Sequence, residues 1–153
     1  LANTHKVLER IPDDKLAWRA HPKSNTIGWV AAHLANLPSW VPLTFELSEL
    51  DINPVGGEPY RNQLLNSTAE ILATFDQNVA AARQALAAAS DEEFGRPWTL
   101  LSGGHKVFTL PKGAVLRTFV LNHIIHHRAH LCVYLRLNDI AVPGLYGPSA
   151  DEG

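Results

Sequence analysis

The chain has 153 residues, of which 46% are hydrophobic and 18% are charged, as is typical of a globular protein rather than a disordered one. Its formal net charge of −2, without any polybasic run, argues against a nucleic-acid partner. Because no apolar stretch approaches the roughly 20 residues of a transmembrane helix, we expect no membrane partner.

The first predicted helix runs from about Ala2 to Arg10 and ends before Pro12, because a residue that precedes proline disfavours the helical conformation. No signal peptide is visible, and the chain starts at Leu1 without a methionine, so we expect a trimmed N-terminus. Thr26 or Ser24 can cap a second helix from Ile27 to about Leu37. The prolines that follow leave the end of this helix open.

The third predicted helix begins at a capping box, Ser67-Thr68-Ala69-Glu70, and continues to about Ala89. Its apolar face has helical spacing and contains Ile71, Phe75, Val79, Ala82 and Leu86. The irregular segment 93–112 contains Gly103-Gly104, which leaves room for a short hairpin. A fourth helix follows from about Gly113 to Leu137. We therefore predict one domain over residues 1–153, an all-α four-helix bundle with long connecting loops.

The single cysteine, Cys132, lies in the apolar run of the fourth helix and is interpreted as a buried, inert thiol. One cysteine cannot form an internal disulfide, which fits a reducing compartment, so we expect a cytoplasmic protein.

The fourth helix contains four of the eight histidines within eight residues. At about 100° per residue, His123 and His127 lie within roughly 20° of the centre of the apolar stripe. His126 and His130 lie roughly 80° and 40° from that centre, towards the edge of the stripe. The arginines fall beyond about 90°, where we expect solvent: Arg117, Arg128 and Arg136.

Both histidine pairs have the four-residue spacing that lets two imidazoles of one helix bind the same ion. The angles favour His123 and His127, although buried histidines also occur as hydrogen-bonded core residues. Two ligands do not complete a stable site, so a third must come from elsewhere. The remaining histidines are His5, His21, His33 and His105, and the carboxylates Glu9, Glu70 and Asp76 are rivals. Of these, His33 alone lies in the middle of a helix among apolar residues.

The segment Ile27–Leu34, followed much later by Asn122–Leu131, resembles the DinB-like (DinB/YfiT-like) family of metal-binding helical bundles. The resemblance spans nearly the whole chain. It implies one ligand on the second helix and a His-x-x-x-His pair on the fourth, so that His33, His123 and His127 would bind a divalent metal ion. Zinc, nickel, iron and manganese all suit three histidines. His130 departs from the family, in which many relatives carry glutamine.

Three protein ligands leave coordination positions open, whereas structural sites are usually closed by four. The resemblance implies a metal-dependent enzyme, either a thiol-dependent transferase or isomerase or a hydrolase. The partners of such an enzyme would be a small-molecule substrate and a low-molecular-weight thiol. The resemblance also leads us to expect a homodimer. The alternative is a non-catalytic, stress-associated metal-binding protein. A di-iron carboxylate site is excluded because paired Glu-x-x-His motifs are missing.

Four residues of the fourth helix lie near enough to support the ligands or to carry protons, although each also suits a structural role: Asn122, His126, His130 and Tyr134.

Overall fold

Helices make up most of the regular structure in the computed structural model, which describes residues 1–152. The α-helices are α1 (Ala2–Leu8), α2 (Ile27–Asn36), α3 (Trp40–Glu46), α4 (Thr68–Ala88), α5 (Asp91–Gly95), α6 (Lys112–Val115) and α7 (His123–Leu137). Short 3₁₀ turns cover Asp13–Lys15 and Leu37–Ser39, and a π-helical segment covers Leu116–Asn122. The strands are β1 (Glu49–Asp51), β2 (Pro97–Ser102) and β3 (His105–Pro111).

The predicted all-α fold class is wrong, because these three strands form a mixed sheet in the order β1-β2-β3. The hairpin that segment 93–112 indicated is present, with β2 and β3 antiparallel. Gly103 and Gly104 form its turn with φ values of 62° and 75°, which favour glycine. β1 pairs in parallel with β2. The Asp51 carboxylate then accepts hydrogen bonds from the amides of Gly103 and Gly104 at 3.0 and 2.7 Å.

The four predicted helices correspond to α1, α2, α4 and the stretch that ends with α7, and these pack against one another. The capping box of α4 forms as its sequence indicates. The Ser67 hydroxyl accepts from the Glu70 amide at 3.2 Å, and the Glu70 carboxylate accepts from the Asn66 amide at 2.8 Å. Ile71, Phe75 and Ala82 are buried, whereas Leu86 is 41% exposed and is not part of the core.

The second predicted helix ends at Asn36, where the 3₁₀ turn that contains Pro38 leads directly into α3. At its start, the Thr26 hydroxyl accepts a hydrogen bond from the Trp29 amide at 3.1 Å, so Thr26 is the cap. This cap fixes the beginning of α2, which packs against both α4 and α7.

The fourth predicted helix is continuous but not uniform, because its middle part is the π-helical segment. A π segment changes the angular step, so the calculated angles between residues on opposite sides of 116–122 do not hold. From His123 onwards the helix is regular and residues four apart share a face.

The expected exposure of Arg128 is wrong, since this residue is only 6% exposed. Its guanidinium donates to the hydroxyl of Thr4, at 3.3 Å, and to that of Tyr146. A helical-wheel projection of α7 alone cannot reveal that α1 and the C-terminal tail cover this side of the helix. Among residues 1–152, none of the helices combines the length and the apolar character that crossing a bilayer requires.

Candidate metal centre

The Nε2 atoms of three histidines converge between α2 and α7. The Nε2 atom of His123 lies 2.9 Å from that of His127 and 3.2 Å from that of His33. The three rings lie 4.7–4.8 Å apart by centroid and are partly buried. The structure therefore brings together the three histidines that the family resemblance implied as ligands.

The spacing of these nitrogens suits a common metal ion. Metal–nitrogen bonds of about 2.0–2.1 Å with angles of roughly 90–110° place two ligand nitrogens about 2.9–3.4 Å apart. The nitrogen–nitrogen distances of hydrogen bonds between imidazole rings also fall in this range. Metal analysis of histidine variants therefore distinguishes a metal site from a hydrogen-bonded cluster of histidines. Three nitrogen donors without a carboxylate suit the divalent transition metals better than magnesium or calcium.

Burial keeps the three rings neutral, which is the form that binds a metal. Burial, reinforced by the nearby His123, lowers the pKa of His33 to about 4. Burial and the neighbouring histidines lower the pKa of His127 to about 3. Burial also lowers the pKa of His123, against a hydrogen bond to the Phe119 backbone that raises it. Near pH 7 all three nitrogens are therefore free of the extra proton that would repel a cation.

Two neighbours orient His33, and sequence reasoning assigned a role to neither. The Trp29 ring stacks on the His33 ring with a centroid distance of 4.9 Å and an interplanar angle of 19°. The Asn62 side chain lies 2.7 Å from Nδ1 of His33, with its amide nitrogen as the donor. Asn62 comes from the long loop between β1 and α4, and no sequence pattern marks it. A histidine that binds a metal through Nε2 donates its Nδ1 proton to an acceptor, so Asn62 would support such binding with its amide rotated to present the oxygen.

The other predicted residues of the fourth helix lie around the triad or apart from it. The His126 and His130 rings lie 4.9 and 5.8 Å from that of His127, on the exposed side of α7. Asn122 is exposed and lines a shallow groove together with His123 and His126. Tyr134 instead packs edge-on against Trp18, with centroids 5.4 Å apart, which favours a structural role.

The carboxylates considered as rival ligands are engaged elsewhere. Glu9 and Asp76 lie 3.4 and 3.3 Å from the ring nitrogens of His5, and Glu70 caps α4. Cys132 is partly buried, and burial raises the pKa of its thiol, as its interpretation as an unreactive cysteine requires.

A cavity of about 280 Å³ opens beside the triad and is bounded by both His33 and His123. Its walls are otherwise mostly apolar and aromatic, including Trp40 and Phe119, whose rings stack 6.4 Å apart. Tyr60 and Asn62 provide further polar groups. No lysine, arginine, cysteine or carboxylate lines it among residues 1–152. The cavity thus suits a small, largely apolar molecule.

Residues 1–131, which contain all three histidines, match the DinB superfamily. The chain belongs to this superfamily. A DinB-like protein of Bacillus cereus ATCC 10987 has a TM-score of 0.69 and 24% identity to this DinB-superfamily chain. The match covers 95% of this chain and 89% of the Bacillus cereus protein. The DinB-like protein YjoA of Bacillus subtilis has a TM-score of 0.66 and 16% identity, and the match covers 99% of this chain and 91% of YjoA. At such identities, these two structures show the fold alone.

The uncharacterized protein YrdA of Bacillus subtilis (strain 168) is 40% identical to this DinB-superfamily chain over 43 residues. This stretch covers 28% of the chain and only 25% of the length of that curated relative.

The DinB-superfamily chain contains two groups of three potential metal ligands within residues 1–152, and they share His127. One group is His33, His123 and His127, and the other is His126, His127 and His130. The first group is the more buried of the two, and its Nε2 atoms lie 2.9 and 3.2 Å apart in two pairs, so it is the stronger candidate for a metal centre.

Proposed function

We propose that this DinB-superfamily protein binds a divalent transition-metal ion through the Nε2 atoms of His33, His123 and His127 and acts on a small molecule in the adjacent cavity. The observation that carries the proposal is that His33 and His123 form part of the cavity wall. A molecule bound there would lie next to the convergent nitrogens. A site built for stability alone would not require such a cavity.

A divalent ion held by three imidazoles supplies a Lewis acid that polarises a carbonyl or lowers the pKa of a coordinated acid. The protein's own groups hold and shield the reactants. Trp29 and Asn62 fix the His33 ring. Tyr60 lines the cavity, and its hydroxyl would orient a polar group of the substrate. The aromatic walls would exclude water from the apolar part of the substrate.

The cavity lining also supports a reaction class. Among residues 1–152, its side chains include neither a cysteine nor a carboxylate that would serve as a nucleophile. Cys132 lies outside it, and burial raises the pKa of its thiol. The nucleophile is therefore best supplied from solution, which favours addition of a low-molecular-weight thiol, as in a transferase or isomerase, or hydrolysis by water.

The second candidate is a metal-binding protein without turnover. It is favoured because, in the described part of the chain, no lysine or carboxylate lines the cavity as an acid–base group. The two candidates differ in whether the ion is accessible to a small ligand. A catalytic ion must exchange ligands with the cavity, whereas an ion that only stabilises the fold need not.

Cobalt-loaded protein tests the proposal. We expect azide, imidazole and small thiols to shift the visible absorption spectrum, and low-molecular-weight thiols to react with apolar electrophiles at a rate that depends on the metal. After dialysis to remove weakly held cobalt, His123→Ala should abolish both effects, whereas the matched control His126→Ala, outside the triad on the same helix, should retain both. Unchanged spectra with every small ligand would refute an accessible ion and would favour the protein without turnover.

A further inference from the structure

Two histidines of α7 remain outside the triad and form a close pair of their own. His126 and His130 are exposed and lie one helical turn apart. Their ring centroids are 4.2 Å apart, closer than the 4.7–4.8 Å within the triad. Neither side chain has a hydrogen-bond or ion-pair partner within residues 1–152 that would account for this contact.

We propose that His126 and His130 form a second metal site that faces solvent. Histidines at positions i and i+4 present two imidazoles on one side of a helix, where they can bind the same ion. The potential ligand atoms of His126, His127 and His130 all lie within 4.8 Å of one another. Since His126 and His130 are exposed, small rotations can bring their nitrogens to the separation of about 3 Å that one ion requires.

The chemistry of the pair limits the kind of ion that it would hold. A cation between the two rings would be attracted by the nitrogen lone pairs of both. The nearby Arg128 points away from the pair and binds Thr4 and Tyr146. No carboxylate is part of the group, so the donors are nitrogen atoms only. Such a donor set selects Cu²⁺, Ni²⁺ or Zn²⁺ over Mg²⁺ or Ca²⁺.

The second site is separate from the triad although His127 lies between them. The Nε2 atom of His127 lies 2.9 Å from that of His123, and its Nδ1 atom is buried without a hydrogen-bond partner within residues 1–152. The outer ion would therefore be held by His126 and His130, with water completing its coordination. Because it has two protein ligands instead of three, the outer site should fill after the triad. This inference requires neither catalysis nor an occupied triad.

Calorimetric titration of the metal-free protein with Zn²⁺ counts the sites. We expect two equivalents for the unmodified chain and one for His126→Gln/His130→Gln, in which glutamine keeps the polarity without an imidazole. The variant His33→Ala/His123→Ala should retain one, weaker equivalent. A matched control changes the three histidines outside both groups, namely His5, His21 and His105, to glutamine and should retain two.

Paramagnetic Ni²⁺ locates the outer site in the variant that lacks the triad. We expect the ring signals of His126 and His130 in the NMR spectrum to broaden first. Two equivalents in His126→Gln/His130→Gln, or equal broadening of His21 and His105, would overturn the outer site. Two equivalents in His33→Ala/His123→Ala would instead refute the triad, so the two proposals fail in different ways.

Discussion

Asn62 offers a sharp test of how the protein prepares His33 for a metal. In the structure, its amide nitrogen lies 2.7 Å from Nδ1 of His33. When Nε2 of a neutral imidazole binds an ion, the ring proton resides on Nδ1 and requires an acceptor. A 180° rotation of the Asn62 amide brings its oxygen to this position. Leucine at this position would fill similar space without an acceptor, and aspartate would supply a permanent one.

Loss of such a supporting group typically reduces metal affinity ten- to hundred-fold, equivalent to about 1.4–2.8 kcal/mol. The contact between Asn62 and His33 is short and partly buried, so we expect Asn62→Leu to fall within this range. Asn62→Asp should bind metal at least as tightly as the unmodified protein. Competition with a chromophoric chelator measures these affinities, and Asn66→Leu, an exposed position of the same loop, is the matched control.

The two Asn62 variants must differ if the hydrogen bond is responsible. Equal affinity in Asn62→Leu and in the unmodified protein would refute the role of Asn62. Equal weakening in Asn62→Leu and Asn62→Asp would show that the residue acts only by packing.

Three further predictions concern stability. Removing the metal with a chelator should lower the melting temperature without loss of helical circular dichroism at 25 °C. The reason is that metal at 100 times its Kd raises the free energy of unfolding by about 2.7 kcal/mol. Unfolding on chelation would contradict this prediction. In the metal-free protein, the pKa values of about 4 for His33 and about 3 for His127 lie below the ordinary 6.5, so the unfolded chain binds protons first as the pH falls. Urea titrations should therefore show that the free energy of unfolding decreases from pH 6.5 towards pH 3. A constant free energy of unfolding over this range would contradict the assignment of neutral rings. Lys112→Met should lower the free energy of unfolding by about 1–3 kcal/mol. The reason is that the buried Lys112 ammonium donates to the Phe45 carbonyl at 2.9 Å and to the Glu93 carboxylate at 3.2 Å. A loss equal to that of the exposed control Lys106→Met would refute this prediction.

Local patterns predicted α1, α2, α4 and α7 and the shared face of His123 and His127, whereas His33 was assigned as a ligand by the family resemblance. The capping box fixed the start of α4 because its hydrogen bonds join residues only three or four positions apart. The spacing of His123 and His127 predicted one shared face because α7 is regular from His123 onwards. The turn glycines indicated the hairpin, since their positive φ values suit few other residues.

Features that depend on distant parts of the chain could not be predicted in this way. β1 has only three residues, so it shows no strand pattern of its own, and its partners in β2 lie fifty positions further along the chain. Arg128 is buried by α1 and the C-terminal tail rather than by its own helix. Asn62 reaches His33 from a loop without regular structure. In each case, tertiary packing decides what the local sequence leaves open.

Metal analysis of single histidine variants is the most direct test of the triad. After loading with Zn²⁺ and dialysis to remove weakly held metal, the unmodified protein should retain one ion per chain. His33→Ala, His123→Ala and His127→Ala should each lose it, whereas His126→Ala should retain it because the His126 side chain lies on the exposed side of α7. Full zinc occupancy in both His123→Ala and His127→Ala would contradict the proposed metal centre.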